Sequence, residues 1–300
     1  MSADNYTLNL HKQFNFPLDI LRNYIYEYIN IKVCGFEKIT DGIECEVYST
    51  GKYIIKIRRK GEVPFACIKW AVNKCKEHDI KVPDIIHCGK ISDNVSDFDI
   101  IIEEKVQGKC ISPDLYKEAG TELRKIHDIK VNGFWKMYEV GKFYIDINGN
   151  NNYQNNDGDD SYNNSLRDIL KYFHDENIYD YGEIKYIELI LERCHNHKIS
   201  SPVLCHGDYH PRHILGGKHI NGIIDFGDFQ GGSGYIDLVN FQMYSDEQHF
   251  DKFLKGYGEI DKKIFMQEKV FTILWEIIES DGKRRTAYEK ILFDTIKSER

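Results

Sequence analysis

The hydrophobic period of this 300-residue chain changes once, near residue 114, and that change limits what the chain can fold into. Before it, short β-branched and aromatic runs are separated by turn residues; after it, apolar residues recur every three to four positions. Segments 33–39, 44–49 and 53–59 read as strands, with Thr40-Asp41-Gly42 and Thr50-Gly51 turning the chain between them. A further β-branched run over 98–103 ends at Gln107-Gly108. Two helices accompany these strands. One, over 17–30, puts Leu21, Tyr24, Ile25, Tyr28 and Ile29 on one face after Pro17; the other, over 64–77, stops before an extended piece at 80–83.

Helical patterns follow at 115–127, 166–176, 183–197 and from about 246 onward. Residues 146–164, DINGNNNYQNNDGDDSYNN, are almost free of apolar side chains and are expected to form an exposed, mobile loop. A strand-and-turn block over 203–237 interrupts the helices and holds most of the polar residues worth suspecting. No internal repeat is present. This order predicts a two-lobe α+β protein, with a small antiparallel sheet before a larger helical part.

Composition narrows the function. Hydrophobic residues are 41% and charged residues 29%, as in an ordinary globular protein, and the net charge of −8 argues against a nucleic-acid partner. No apolar run reaches the roughly 18 residues of a membrane helix, and the first residues lack the pattern of a signal peptide. The eight cysteines, at 34, 45, 67, 75, 88, 110, 194 and 205, form no CxxC pair. They read as reduced, mostly buried thiols of a cytoplasmic protein.

The densest chemical signal is HGDYHPRH at 206–213, followed by IDFGD at 224–228, with Gly216-Gly217 available for the turn between them. Phosphoryl transfer needs such a set: one carboxylate to orient a hydroxyl and accept its proton, another to hold Mg²⁺, and a further group to complete the metal shell. The bland reading of Asp208 and Asp225 is as turn residues. On the same bland reading Lys56 is one cation among Lys52, Arg58, Arg59 and Lys60 on a solvated strand, and His206 a packing residue. An alternative chemistry treats His206, Asp208, His210 and His213 as a zinc cluster of a hydrolase.

The segment 206–213 resembles the HGDxxxxN catalytic loop of the aminoglycoside and macrolide phosphotransferases, members of the protein-kinase-like superfamily, and 224–228 resembles their IDxxD motif. GYIDL at 234–238 and LRKIH at 123–127 resemble two structural elements of the same family, with Asp237 and His127 as anchors. The resemblance implies a kinase-like fold with an N-lobe over 1–103, a hinge near 104–108, and a catalytic, acceptor-binding C-lobe over 104–300. It makes Asp208 the catalytic base and Asp225 the Mg²⁺ ligand. His213 stands where the motif has Asn, an unexpected donor for Mg²⁺ that is shared with branches favouring GTP. Lys56 in YIIKI matches the phosphate-holding lysine, the loop around Gly42 covers the phosphates, and backbone around Glu103, Glu104 and Val106 meets the base of GTP or ATP. The acid that usually pairs with this lysine falls near Ile68, where there is none; Glu62 is the nearest earlier acid.

The activity implied is transfer of a γ-phosphate to a hydroxyl of an aminoglycoside-like or macrolide antibiotic by a monomer. The alternatives are a kinase of choline-like, sugar or amino-alcohol metabolites, and a nucleotide-binding pseudokinase. Asp228, Asp237, Asp246, Glu247, Glu276, Glu279 and Asp281, with the nine acids against four bases of 141–185, predict a cationic acceptor. Trp275 reads as core before it reads as a substrate platform.

Overall fold

The computed structural model describes residues 15–40, 45–59, 61, 63–146, 168–195, 201–280 and 282–298. Five antiparallel strands, β1 (Glu37–Ile39), β2 (Glu46–Ser49), β3 (Tyr53–Arg58), β4 (Ile85–Ser92) and β5 (Asp97–Glu104), form one sheet in the order β1-β2-β3-β5-β4. The central strands β3 and β5 set the site. Their period of two sends Ile55, Ile57, Ile100 and Ile102 to one face, where Leu21 and Ile25 of α1 (Leu18–Ile29) cover them. All four isoleucines are fully buried, which stabilises the fold by about 1.5–3 kcal/mol each. A one-residue slip would expose them, so register is fixed. That register leaves Ile54, Lys56, Ile101 and Glu103 on the opposite face, with Lys56 across from Ile101 and Ile54 across from Glu103.

Helix α2 (Phe65–Glu77) starts after Pro64 and buries Phe65, Ile68, Ala71, Val72 and Cys75. These side chains join a core that continues through Met137, Phe143, Phe226 and Phe229, so α2 ties the sheet to the rest of the chain. After β6 (Lys109–Cys110) come α3 (Tyr116–Asp128), the hairpin β7 (Gly133–Glu139) and β8 (Lys142–Asp146), a helix over 168–175 (α4) and α5 (Tyr181–His195). The polar block follows as β9 (Val203–Cys205), β10 (Ile214–Gly216), β11 (Ile220–Ile223) and β12 (Gln230–Gly232). Four helices end the chain: α6 (Tyr235–Met243), α7 (Glu247–Tyr257), α8 (Lys262–Glu279) and α9 (Gly282–Ser298). Two small sheets, β11-β10-β6 and β8-β7-β12-β9, hold the polar block in place. Helices α3 and α7 approach so closely that a Cβ on Gly256 would lie 1.8 Å from the carbonyl oxygen of Lys117. A separate core joins α4, α5, α8 and α9 through Phe173, Ile187, Ile273, Ile277 and Leu292.

The expected α+β, two-lobe, kinase-like plan is the one the chain adopts. Two expectations change in detail. The first strand is confined to Glu37–Ile39 instead of 33–39, and β4 and the β7–β8 hairpin occupy stretches not read as strands. The hairpin hides because Trp135 takes a φ of +67° and the pairing slips between Phe134 and Met137, which breaks the alternation. The loop expected at 146–164 lies, beyond Asp146, outside the described residues, as does Gly42. The seven described cysteines are unbridged. Among the described residues no helix is long and apolar enough to cross a membrane.

Candidate active site

Strand β9 carries the chain into the centre of the molecule and releases it at His206. There the backbone would strand two N–H groups, one buried and one part-buried, and Asp237 in the first turn of α6 takes both. Its carboxylate, fully buried, accepts from the amides of His206 and Gly207, each at 2.7 Å, and faces His127 Nε2 at 3.0 Å. His127 Nδ1 in turn meets the Tyr257 hydroxyl at 2.8 Å. Asn240 Nδ2 donates to the Gly207 carbonyl at 2.8 Å. Gly207 has φ +85°, and a Cβ there would lie 1.9 Å from the Asp228 carbonyl oxygen, so glycine lets the two acid-bearing loops touch. His206 is the packing residue expected: Nε2–H donates to the Ile224 carbonyl at 2.9 Å and Nδ1 accepts from the Asp208 amide at 3.3 Å.

Asp208 is therefore held by its backbone from both sides. Two further histidines address it. His210 Nδ1 accepts from the Arg212 amide at 3.2 Å, which leaves Nε2–H facing Asp208 Oδ1 at 3.4 Å. His213 lies 3.0 Å from the Asp208 carbonyl through Nδ1. A carbonyl only accepts, so Nδ1 carries the proton and Nε2 keeps its lone pair, 3.7 Å from Asp225 Oδ2. Burial works to raise the Asp208 pKa, but the hydrogen bond from His210 and the nearby imidazoles outweigh it and hold the carboxyl below its ordinary range. Burial lowers the His213 pKa despite Asp208 and Asp225, which favours the neutral ring.

Asp225 follows β11 in a left-handed conformation, φ +67°, before a single 3₁₀ turn over Phe226–Asp228. Buried Phe226 packs on His206, with ring centroids 4.5 Å apart, and aims the carboxylate into the cleft. Lys56 Nζ lies 3.2 Å from Asp225 Oδ1, across 169 residues of sequence, and 3.3 Å from Glu103 Oε1. Lys56 lowers the Asp225 carboxyl to about 2. Burial would depress the Lys56 ammonium, but Asp225 and Glu103 outweigh it and push its pKa up. Glu103 itself moves up, because burial exceeds the pull of Lys56.

Lys56, Glu103, Asp208, His213 and Asp225 thus line one cleft, whose cavity measures about 940 Å³. Glu104 and Val106 do not line it. The Glu104 amide donates to the Asp84 carbonyl and its side chain reaches Lys52 at 3.8 Å, while Val106 packs against Gly222. Strand parity turns the Glu103 side chain to Lys56, while its backbone, the part expected at the base, belongs to β5. The alternation of Ile100, Ile101, Ile102 and Glu103 contains the signal for that side-chain direction. Lys136 on β7, 2.6 Å from Asp228 Oδ1, and Asn240 were missed because neither lies in a motif. For a zinc cluster, His206 is unsuitable, since both ring nitrogens are engaged; Asp208, His210 and His213 remain grouped.

The far wall of the cleft is aromatic. Tyr244 after α6, Phe271 and Trp275 of α8, Tyr288 of α9 and Trp135 of β7 face it, with Ile236 and Met243 between them. Tyr244 and Trp135 remain 47% and 39% exposed, large surfaces for rings to leave in contact with water. Of the acids expected to attract a cation, Asp237 is the buried anchor, Asp246 caps α7, Glu276 pairs with Arg284 at 2.9 Å and Asp228 with Lys136. The Glu279 side chain and Asp281 lie outside the described residues.

Residues 47–268 match the model of the phosphotransferase enzyme family. Among solved structures, the GDP complex of wild-type aminoglycoside 2'-phosphotransferase-IIIa is similar at 16% identity and a TM-score of 0.59, covering 94% of this chain and 99% of that one. The ternary complex of streptomycin, ATP and APH(2'')-IIa matches at 14% identity and a TM-score of 0.59, covering 94% and 97%. A thermostable mutant of aminoglycoside phosphotransferase APH(4)-Ia, in ternary complex with ADP and hygromycin B, matches at 12% identity and a TM-score of 0.65, covering 93% and 98%. At these identities the likeness is one of fold.

Proposed function

The chain belongs to the phosphotransferase enzyme family, and from that premise we propose that its cleft transfers the γ-phosphoryl group of ATP or GTP to a hydroxyl of a small amphipathic molecule. The observation that carries the reading is the convergence of Lys56 with Asp225 at 3.2 Å, beside Asp208 held by its own backbone. Residues 1–103 would form the nucleotide-binding lobe, 104–108 the hinge, and the rest the catalytic and acceptor half.

Mg²⁺ favours oxygen donors and retains several waters. Asp225 suits direct ligation, since its carboxylate is half exposed to the cleft. His213 Nε2, a lone pair 3.7 Å from Asp225 Oδ2, suits acceptance from a metal-held water. The ion, when bound, supplies charge neutralisation to the phosphates. Lys56 binds phosphate oxygens. Asp208, ionised at neutral pH, orients the acceptor O–H and takes its proton. The acceptor oxygen bonds to the γ-phosphorus, the bridging P–O bond breaks, and the nucleoside diphosphate leaves with that electron pair. Catalysis comes from positioning and charge neutralisation.

The acceptor half favours a molecule with an apolar face. Asp228 and Glu276 already hold Lys136 and Arg284, so a polycation would have to displace those pairs. Trp275, Tyr288 and Tyr244 offer ring faces instead. A macrolide-type acceptor suits this wall better than a polyamino sugar. The test is phosphate transfer from Mg·ATP and Mg·GTP to macrolides, aminoglycosides and amino alcohols, with Asp208→Asn as control. Transfer to a macrolide, with kcat/KM nearly flat in salt, is expected. Transfer to aminoglycosides alone, falling steeply with salt, overturns the acceptor; no Asp208-dependent transfer to any acceptor overturns the kinase.

A further inference from the structure

A lysine that holds phosphate oxygens needs its own long side chain held, or its rotamer freedom is lost at each turnover. Helix α2, which borders Lys56, offers nothing for this. Its sequence FACIKWAVNKCKE has one acid, Glu77, at its last residue, and Phe65, Ile68 and Val72 are what it presents to the cleft. The acid comes from the neighbouring strand. Glu103 Oε1 lies 3.3 Å from Lys56 Nζ, and the two side chains are only 8% and 16% exposed.

The geometry points to Glu103 as the positioning residue of Lys56, a carboxylate borne on β5 in place of one on a helix. This inference rests on the reading of Lys56 as the phosphate-holding residue. Two features support it. The β3–β5 ladder pairs Lys56 with Ile101 and Ile54 with Glu103, so both side chains project from the same face of adjacent strands. Lys56 also touches Asp225, which the metal would claim; Glu103 then keeps the ammonium from following it. The pair lies within one sheet, so it stays assembled whatever α2 does.

The test is a double-mutant cycle on the full chain, with Mg·ATP and Mg·GTP as probes and water as acceptor. Phosphate release is measured at saturating nucleotide, and nucleotide affinity by thermal shift. Glu103→Gln is expected to lower the rate about tenfold, within the range of direct couplings. Glu103→Asp should recover part of the loss. On a Lys56→Met background, Glu103→Gln should cost less than about twofold in rate and affinity, because it acts through Lys56. A fully additive loss, or a rate in Glu103→Gln within about twofold of the parent while Lys56→Met is inactive, overturns the positioning role and leaves the kinase reading standing. Unchanged rates in both Lys56→Met and Asp208→Asn overturn the kinase reading itself. If Glu103→Gln fails to fold, the cycle is run with Glu103→Asp, which withdraws the carboxylate by one methylene: coupling to Lys56 supports the role and additivity removes it.

Discussion

The floor of the cleft and its far wall are built in opposite ways. On the floor, backbone does the work: Asp237 gathers two amides, His206 and His213 bind main-chain groups, and Asp208 and Asp225 are placed by the turns they occupy. On the wall, side chains from helices and a hairpin far apart in sequence supply the surface, and no shared loop dictates them. The difference teaches where chemistry and selectivity reside. On the proposed reading, a reaction that depends on fractions of an ångström is tied to the main chain, and the choice of acceptor is left to side chains that tolerate exchange.

The largest effects should come from the floor. Asp225→Ala is expected to abolish Mg²⁺-dependent nucleotide binding, read as loss of the Mg·nucleotide thermal shift. Asp208→Asn keeps size and loses the proton acceptor; kcat should fall about 10²-fold with nucleotide affinity retained. Near-normal turnover in that variant would remove Asp208 from the chemistry and break the contrast at its centre.

Asp237 tests whether the floor is a backbone construction. Asp237→Ala strands the buried His206 amide and His127 Nε2 and the part-buried Gly207 amide, and should cost about 3–5 kcal/mol of stability by denaturant unfolding. A loss below about 1 kcal/mol would mean that the loop holds itself. On the wall, Trp275→Ala should raise the acceptor KM about tenfold, roughly 1.4 kcal/mol, with kcat nearly kept. A fall in kcat instead would make the wall part of the chemistry.

How much of this was legible in the sequence follows the same division. The positions of Asp208, Asp225, Asp237 and His127 were readable because local spacing within motifs fixes them. The two-lobe plan was readable from the change in hydrophobic period. For Glu103 the resemblance to a hinge speaks only of the backbone; strand parity is what gives the direction of its side chain toward Lys56. The pairs Lys136–Asp228 and Arg284–Glu276 were invisible, since each joins elements that only packing brings together. Counting acids predicts a cationic acceptor but does not show that Asp228 and Glu276 already hold Lys136 and Arg284.

Asp225 gives a pH test of the floor. Its folded carboxyl is held at about 2 by Lys56, against an ordinary value of 3.8. A depressed carboxyl contributes stability that is complete above its unfolded pKa and is lost as pH falls through the folded one. The melting temperature should therefore drop between about pH 4 and pH 2, and Asp225→Asn should flatten that drop by lowering the melting temperature at pH 5–7, where the ionised carboxylate contributes in full.

The smallest effect should come from His213, the one floor residue that departs from the family's pattern. Its Nδ1–H is spent on the Asp208 carbonyl, which leaves the Nε2 lone pair open to a donor in the cleft, 3.7 Å from Asp225 Oδ2. An asparagine at 213 retains one donor and one acceptor, and its oxygen suits Mg²⁺ better than an imidazole nitrogen does. His213→Asn should therefore keep activity within about fivefold, whereas His213→Ala, which leaves the Asp208 carbonyl without its donor, should cost about tenfold. Metal identity sharpens the test. If the imidazole acts through a metal-held water, Mn²⁺, which accepts nitrogen more readily, should give the parent and His213→Asn similar rates. If the imidazole ligates directly, Mn²⁺ should favour the parent strongly. A folded His213→Asn as inactive as Asp225→Ala would show that position 213 does something an amide cannot, and would place one side chain of the floor among those that no backbone contact explains.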